Sequence, residues 1–185
     1  MKKILLTILP LLLIVGCSKV EGKQDLIPVV ETYDNGNIKS ITYHKKSRTG
    51  IEKVKYEGYH KNGQKEEEGT YKDGKKDGLW TTWFENGQKK WEKTYKDGGR
   101  DGLVTDWYEN GKKWKEGTWK DGEIRWTKWW YENGQKEIEI TYKDGEKDGL
   151  VTVWYDNGQK YSEGTYKDGE EISLKRWNED GTEVE

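Results

Sequence analysis

The sequence lacks several of the residues from which folded cores are usually built. It contains one cysteine, no alanine and two histidines. After residue 16, only 22 of the remaining 169 residues are leucine, isoleucine, valine or phenylalanine, a share that is typical of disordered chains. One thiol cannot form an internal disulfide, so an exported fold must be held together without one. No stretch of this part has the apolar period and the caps of a helix.

Aromatic residues replace the missing aliphatic surface. The chain has 11 tryptophans, 12 tyrosines and one phenylalanine, and all of them lie after residue 16. Disordered chains are poor in aromatic residues, and here the aromatics recur at fixed positions of a repeat. The small net charge also argues for folding, because strong self-repulsion is absent. We therefore expect an ordered chain whose core is aromatic.

The charges exclude several classes of function. Basic and acidic residues are interleaved without a basic stripe, which argues against nucleic acid as a partner. His44 and His60 have no cysteine near them, so we expect no metal site and no cofactor. Aspartates in glycine-rich loops offer a weak calcium alternative, but Asp-Gly is also ordinary turn chemistry. These aspartates are Asp73, Asp77, Asp97, Asp101, Asp144 and Asp148.

No catalytic constellation is visible in the sequence. One strand position repeats a carboxylate among lysines, whereas catalysis needs one special pair. We interpret this row as a solvated face with weak cross-strand ion pairs. The row consists of Glu68, Glu92, Glu116, Glu139 and Glu163. Nucleophile-elbow, Ser/His/Asp and phosphate-loop motifs are also missing, so we expect no enzymatic activity.

The N-terminus has the pattern of a lipoprotein signal. Lys2 and Lys3 precede the apolar run Ile4 to Val15, which is too short for a stop-transfer helix. The only cysteine, Cys17, follows Gly16 directly and resembles the lipid-modified cysteine of bacterial lipoproteins. We predict removal of residues 1–16, lipidation of Cys17 and a tether over residues 17–31. An ordinary signal with an incidental cysteine is the alternative.

Cleavage and lipidation would change the net charge of the chain and attach it to a membrane. Removing residues 1–16 takes the formal net charge from −2 to −4. A lipidated cysteine carries at least two acyl chains, which suffice for stable attachment to a membrane. Ser18 rather than aspartate follows the cysteine. In a cell with two membranes, this favours the outer one.

An Asn-Gly turn recurs along residues 32–185 and defines a tandem array. Five of the six spacings between the turn glycines are 23 or 24 residues, and the first is 27. We predict an all-β fold of tandem β-hairpins in a twisted antiparallel meander of roughly twelve to thirteen strands. Each Asn-Gly pair is predicted to form a two-residue type I′ turn, and each Asp-Gly region a longer loop. The turn glycines are Gly36, Gly63, Gly87, Gly111, Gly134, Gly158 and Gly181.

Tryptophan recurs four residues before each turn glycine and predicts a ladder along one face. We expect Trp83, Trp107 and Trp154 to be buried there, together with the leucines eight residues before the turns. Exposed platforms that stack on ligands are the alternative for such rows. Trp129 belongs to three consecutive aromatics, which must point to both faces, and it is our best candidate for an exposed contact with a ligand or partner.

The repeated segment resembles the bacterial variant of the MORN repeat. The clearest copy runs from Tyr71-Lys72-Asp73-Gly74 to Asp77-Gly78-Leu79, and the resemblance covers roughly residues 32–181. Many bacterial proteins with this repeat resemble the YwqK family, whose members are described as antitoxins. The resemblance implies binding of a protein partner and not catalysis. A lipoprotein signal fits poorly with a cytoplasmic antitoxin.

Two functions follow from the sequence. The first is a membrane-anchored protein-interaction or structural module, antitoxin-like by family resemblance. The alternative is a lipoprotein that binds cell-wall glycans through exposed aromatic platforms, since short Trp- and Tyr-rich hairpins are similar to choline-binding modules. An exposed aromatic row would favour the glycan, and a mixed-charge surface would favour the protein partner.

Overall fold

The computed structural model describes residues 25–48 and 50–184, and these form strands and turns only. The first strands are β1 (Ile27–Thr32), β2 (Ile38–Ser47), β3 (Gly50–Tyr59), β4 (Lys65–Lys72), β5 (Lys75–Lys76), β6 (Gly78–Trp83), β7 (Lys89–Lys96) and β8 (Gly99–Trp107). The remaining strands are β9 (Lys113–Lys120), β10 (Glu123–Trp130), β11 (Lys136–Lys143), β12 (Glu146–Trp154), β13 (Lys160–Lys167), β14 (Glu170–Trp177) and β15 (Glu183–Val184).

The described strands make one open antiparallel sheet, which confirms the predicted all-β meander. Each strand pairs with its sequence neighbours, except that β6 pairs with β4 and the two-residue β5 also pairs with β4. The described residues form 15 strands, more than expected, because β1 and β15 extend the array at its two ends and the short β5 is separate from β6. Residues 27–31, predicted as tether, belong to β1 and pair with β2. At a strand spacing of about 4.8 Å, the sheet is about 60 Å long.

The Asn-Gly turns close hairpins, but the predicted type I′ geometry is wrong. In the turn Phe84 to Gln88, the amide of Gly87 donates to the carbonyl of Phe84, and the amide of Phe84 donates to Gln88. Gly87 has φ of 83°, whereas Asn86 has no positive φ. This is a three-residue loop, a type I turn followed by a left-handed glycine. The Asn86 carboxamide oxygen accepts the amide of Gln88, which stabilises this form.

The two-residue turns lie at Asp-Gly instead. Lys96 pairs with Gly99, so only Asp97 and Gly98 stand between the strands. Both have positive φ, 50° and 88°, as a type I′ turn requires. The other Asp-Gly turns share this left-handed aspartate, at Asp73, Asp121, Asp144 and Asp168. The predicted long loops are therefore two-residue turns, and these five tips lie along the edge of the sheet opposite the Asn-Gly tips.

Replacing Asp97 tests this assignment of the turns. Asp97→Val should lower the free energy of unfolding by about 1–2 kcal/mol, because a β-branched residue tolerates left-handed backbone poorly. Asp97→Gly should be neutral or stabilising, because glycine accepts positive φ without strain. Urea denaturation of both variants checks this. Equal stability of the two variants would contradict the left-handed geometry.

The difference between 23- and 24-residue spacing comes from bulges. Between β7 and β8, Tyr95 pairs with Arg100 and Lys93 with Val104, so two extra residues lie on β8. Between β9 and β10, the register shift leaves only one extra residue, Arg125. The shorter spacing around Gly122 therefore leaves the turn itself intact and removes one residue of the bulge.

The core lies along one face, which we call the core face. It carries the buried residues Trp80, Val104, Thr127 and Val151, one from each successive repeat unit. Glycines leave room for large side chains on this face. A Cβ at Gly69 would lie 2.2 Å from the ring of Trp80 on the neighbouring strand, and one at Gly117 would lie 2.9 Å from Trp119 of the same strand.

The tryptophan ladder predicted to be buried lies on the opposite face, which we call the ion-pair face. Trp83, Trp107 and Trp154 are only half-buried there, so their predicted burial is wrong. The leucines of the same row, Leu79, Leu103 and Leu150, are exposed. Two-residue alternation correctly placed them on one face, but the buried residues of that row are the small threonines between them, Thr81, Thr105 and Thr152.

Side-chain hydrogen bonds, which we call rungs, join each Asn-Gly tip to the next. Asn86 Nδ2 donates to the carbonyl of Glu109 at 3.0 Å, and Asn62, Asn133 and Asn157 repeat this contact. A second row of donors reaches the carbonyl of the tryptophan in the next unit. Its members are His60 to Trp83, Tyr108 to Trp130, Tyr131 to Trp154 and Tyr155 to Trp177, at 2.8–3.0 Å. Stability therefore comes from contacts between neighbouring units.

Candidate functional site

The ion-pair face is an ordered array of lysines, tryptophans and glutamates. Lys89 Nζ lies 5.7 Å from the centre of the Trp107 ring and 2.5 Å from a carboxylate oxygen of Glu92. The bulge at Lys90 makes this possible, because it places residues three apart on the same face. The same lysine–ring contact recurs as Lys65 with Trp83, Lys113 with Trp130, Lys136 with Trp154 and Lys160 with Trp177.

The repeated glutamates are therefore paired, as expected for a solvated row. Their regular partners are lysines three residues earlier on the same strand rather than across it. Glu139 also has the predicted cross-strand partner, because Lys128 Nζ lies 2.9 Å from it. Each lysine thus neutralises a carboxylate and covers a ring, and this face presents mixed charge rather than bare aromatic surface.

Lysine or arginine covers almost every tryptophan of this chain. Outside the array just described, the contacts are Lys76 with Trp80, Lys93 with Trp91, Arg100 with Trp119, Lys128 with Trp126 and Lys115 with Trp129. All eleven tryptophans lie in the described part of the chain, and ten have a cation within 6 Å of the ring centre. Trp114 is the exception there.

Trp114 is also the most exposed tryptophan, at 40%. Trp114 is the extra residue of a bulge in β9, opposite Asp106 and Trp107 of β8. Its ring meets Trp129 edge-on at 5.5 Å and lies 6.3 Å from Tyr108. Trp129, the residue that the sequence favoured as an exposed contact, is half-buried beneath Lys115, 4.2 Å away. The structure thus places the open ring at Trp114, next to Trp129.

A cleft of about 360 Å³ opens beside Trp114, and we call it the Trp114 groove. It is lined by Phe84, Lys90, Trp91, Asp106, Trp107, Tyr108, Glu109 and Trp114. Asp106 pairs with Lys93 at 3.4 Å, and Lys90 lies over Phe84 at 5.5 Å. Among the described residues, no side chain pairs with the Glu109 carboxylate. The groove therefore joins an open ring to an unpaired negative charge.

Burial and charge shift two pKa values near the Trp114 groove. Burial, followed by the nearby Glu137 and Glu132 carboxylates, raises the pKa of Tyr108. Burial lowers the pKa of Lys115; Asp106 opposes that shift, and Arg100 and Lys93 add to it. Charges of both signs therefore surround the open ring.

Two of the six aspartates considered for calcium, Asp101 and Asp148, are engaged by lysines. Lys120 Nζ donates to Asp101 at 3.1 Å, and Lys167 Nζ donates to Asp148 at 2.8 Å. The lysine hydrogen bond lowers the pKa of each of these carboxyls. Within residues 25–48 and 50–184, no group of three or more His, Cys, Asp and Glu could hold a metal ion.

One buried carboxylate, Glu57, is held by a hydrogen-bond network. Its Oε2 accepts the hydroxyls of Tyr43 at 3.0 Å and Tyr59 at 3.1 Å, and its Oε1 accepts Lys55 Nζ at 2.7 Å. Burial alone would raise the pKa of Glu57, but these three hydrogen bonds outweigh burial and lower it below 4.5. Burial and then the bond to Glu57 raise the pKa of Tyr59 to about 12. The network satisfies every charged group, which indicates a structural role.

The Glu57 network predicts a pH-dependent stability. The carboxylate contributes fully above its ordinary pKa of 4.5, and this contribution is lost as pH falls through the lowered folded value. The Tyr59 contribution is present below pH 10 and is lost as pH rises toward about 12. The difference in the free energy of unfolding between wild type and Glu57→Gln, the stability gap, should therefore be largest between pH 4.5 and pH 10. It should become smaller in acid. Urea denaturation across pH measures the gap, with exposed Glu85→Gln as control, and a gap that does not narrow would contradict the network.

Five segments match the MORN repeat variant: residues 52–73, 76–97, 100–121, 127–144 and 147–168. Together these segments span more than half of the chain. The protein belongs to the MORN repeat variant family. No curated protein matches the chain.

The MORN repeats map onto the hairpins of the sheet. Each matched segment crosses one Asn-Gly turn and ends at or next to the aspartate of an Asp-Gly turn. The Trp114 groove lies between the second and third repeats, because Phe84 and Trp91 come from one and Asp106 and Trp114 from the next. The site thus exists only when neighbouring MORN repeats are stacked. Strands β1, β2, β14 and β15 flank the matched repeats.

The predicted lipidation site Cys17 lies outside the described residues, as does the apolar run before it. The described part of the chain has no helix that is long and apolar enough to cross a membrane.

Proposed function

We propose that this MORN-variant array is a non-enzymatic protein-interaction module, held at a membrane by a lipid on Cys17. The observation that carries the proposal is the mixed-charge surface. Lysines cover the tryptophans of the ion-pair face and pair with its glutamates, so the repeats present alternating charges along about 45 Å. Successive units offer successive contacts to a macromolecule. A protein partner agrees with the antitoxin description that the resemblance to the YwqK family carries.

The glycan alternative has weaker support. A platform for a sugar chain needs several exposed rings in a row, because each sugar stacks on one ring face. Ten of the eleven tryptophans have a cation from the chain within 6 Å of the ring centre. One open tryptophan suits recognition of a single group better than recognition of a polymer.

Deleting one repeat unit tests the proposed function. Removal of residues 88–111 joins one Asn-Gly turn to the next and preserves the register of the sheet. The variant should keep its β spectrum and should capture its partner from the cell envelope more weakly, in steps with the number of units removed. Mass spectrometry identifies the captured protein. A hydrolytic or transferase activity that one point mutation removes, with the fold intact, would overturn the proposal.

The membrane anchor has its own test. A fatty-acid analogue supplied to growing cells should label the wild-type protein and leave Cys17→Ala unlabelled. Equal labelling of the two proteins would exclude the anchor, and the protein-interaction proposal would then stand without it.

A further inference from the structure

The Trp114 groove lacks two groups that the chain supplies at equivalent places, and it holds an unpaired carboxylate. The first is a cation over the ring, which every other tryptophan has at 3.6–5.9 Å. In the neighbouring unit, the lysine at the equivalent bulge position, Lys90, lies over Phe84 and leaves Trp114 open. The Trp114 ring thus lacks the cation that the chain places beside each of its other ten tryptophans.

The second missing group is a hydrogen-bond donor to the carbonyl of Trp107. The equivalent carbonyls of Trp83, Trp130, Trp154 and Trp177 each accept a side chain from the preceding unit. For Trp107 the residue in that place is Phe84, which has no hydroxyl. Among these five tryptophan carbonyls of the described residues, only that of Trp107 lacks a side-chain donor from the preceding unit. The interruption lies in the same groove as the open ring.

The third feature is the unpaired carboxylate of Glu109. This glutamate lines the groove at the Asn-Gly tip, and its backbone carbonyl accepts a hydrogen bond from Asn86. Among the described residues its carboxylate has no ion-pair partner, and the acidic residues at the same position of the other tips have none either. What distinguishes Glu109 is its place in the groove beside the open ring, where a positively charged ligand would pair with it.

We propose that the Trp114 groove binds an arginine side chain of a protein partner, with the guanidinium over the Trp114 ring and facing Glu109. The guanidinium is planar and stacks on aromatic rings, and it carries five donors, so it can also bond the Trp107 carbonyl. A quaternary ammonium group has no such donor. This inference rests on the proposed protein-interaction function, for which it names the chemistry that the partner presents.

Titration with a short peptide tests the proposal. The probe is acetylated and amidated Gly-Gly-Arg-Gly-Gly, and its control has citrulline, which keeps the shape and loses the charge. The protein is the full chain with Cys17→Ser, observed through the ¹⁵N signals of its tryptophan indoles. The arginine peptide should shift the Trp114 signal, with affinity that falls as salt rises, and the citrulline peptide should not. Equal shifts with the two peptides would overturn the proposal.

Three variants separate recognition from folding. Trp114→Leu keeps apolar volume without a ring face and should reduce affinity about fivefold, as measured through Trp129. Phe84→Tyr restores the interrupted rung, so it should weaken binding while stability stays the same or rises. Tyr161→Leu removes an aromatic that is 42% exposed at the equivalent bulge two units away, and it should leave binding unchanged. Unchanged affinity in both Trp114→Leu and Phe84→Tyr would overturn the proposal.

Two further results would each show that the arginine inference is wrong. If a β-1,4-linked N-acetylglucosamine tetramer shifts the Trp114 signal and the arginine peptide does not, the site binds glycan and the inference is wrong. If Trp114→Leu captures the same envelope protein as the wild type and equally well, the protein-interaction function stands and the arginine site is wrong. Should Trp114→Leu fail to fold, Phe84→Tyr and Glu109→Gln carry the same test.

Discussion

Trp80→Ala should lower the free energy of unfolding by about 3–5 kcal/mol, the largest loss expected for one side chain of this protein. Trp80 is 0% exposed. Its ring stacks on Tyr56 at 6.4 Å, meets Tyr71 edge-on at 5.0 Å and lies 3.6 Å from Lys76 Nζ. Its Nε1 donates to the carbonyl of Thr70 at 3.0 Å. Truncation removes all of these contacts and leaves a cavity that the rigid strands cannot close.

Trp83→Ala is the matched control for Trp80→Ala. The two tryptophans belong to the same strand, but Trp83 is half-buried on the ion-pair face. Its truncation should cost less than half as much, because much of its surface already meets water. Urea denaturation of both variants, followed by far-UV circular dichroism, measures the difference. Equal losses would show that the two faces of the sheet are equally buried.

Gly69→Ala should cost about 3 kcal/mol, the second largest effect. A Cβ at Gly69 would lie 2.2 Å from the Trp80 ring, far inside contact distance. The ring cannot move away without giving up its hydrogen bond to Thr70. Gly99→Ala is the control, because a Cβ there would meet nothing closer than a backbone oxygen at 3.7 Å. Urea denaturation should show little or no loss for the control.

A double-mutant cycle identifies the cause of the Gly69 effect. If the loss comes from the collision with Trp80, then Gly69→Ala should add little to Trp80→Ala, because the ring is already gone. Additive losses in the double variant would show that the methyl group disturbs the backbone of β4 instead. The cycle thus measures the fit between one ring and one glycine directly.

The repeat positions in the sequence predicted the class of fold well. Strands of two-residue alternation, joined by turns at a regular spacing, leave few alternatives to an antiparallel meander. The turn types were assigned the wrong way round, because both Asn-Gly and Asp-Gly accept left-handed backbone. Lys96 and Gly99 pair directly and leave two residues for the turn, whereas the pairing of Phe84 with Gln88 leaves three. Loop length depends on strand pairing, which local propensity does not reveal.

The sequence and the structure direct attention to neighbouring side chains as the candidate contact. Three consecutive aromatics directed attention to Trp129, which the structure half-buries under Lys115. The open ring belongs to Trp114, which contacts it edge-on. A bulge turns Trp114 outward, and the only signal in the sequence is that a large aromatic stands three residues after a turn glycine. Without knowledge of the bulge, the sequence does not show to which face of the sheet the Trp114 ring points.

The sequence by itself determined the repeat, the all-β class, the two rows of turns and the sharing of a face by residues two apart. These properties are local, because they follow from backbone propensity and the two-residue period of a strand. Only the tertiary structure decided that Trp80 is covered and Trp83 is not, and that Trp114 is left without a cation. Those outcomes depend on which glycine, lysine or bulge the neighbouring strand brings opposite each ring, and strand register sets that across about 24 residues of chain.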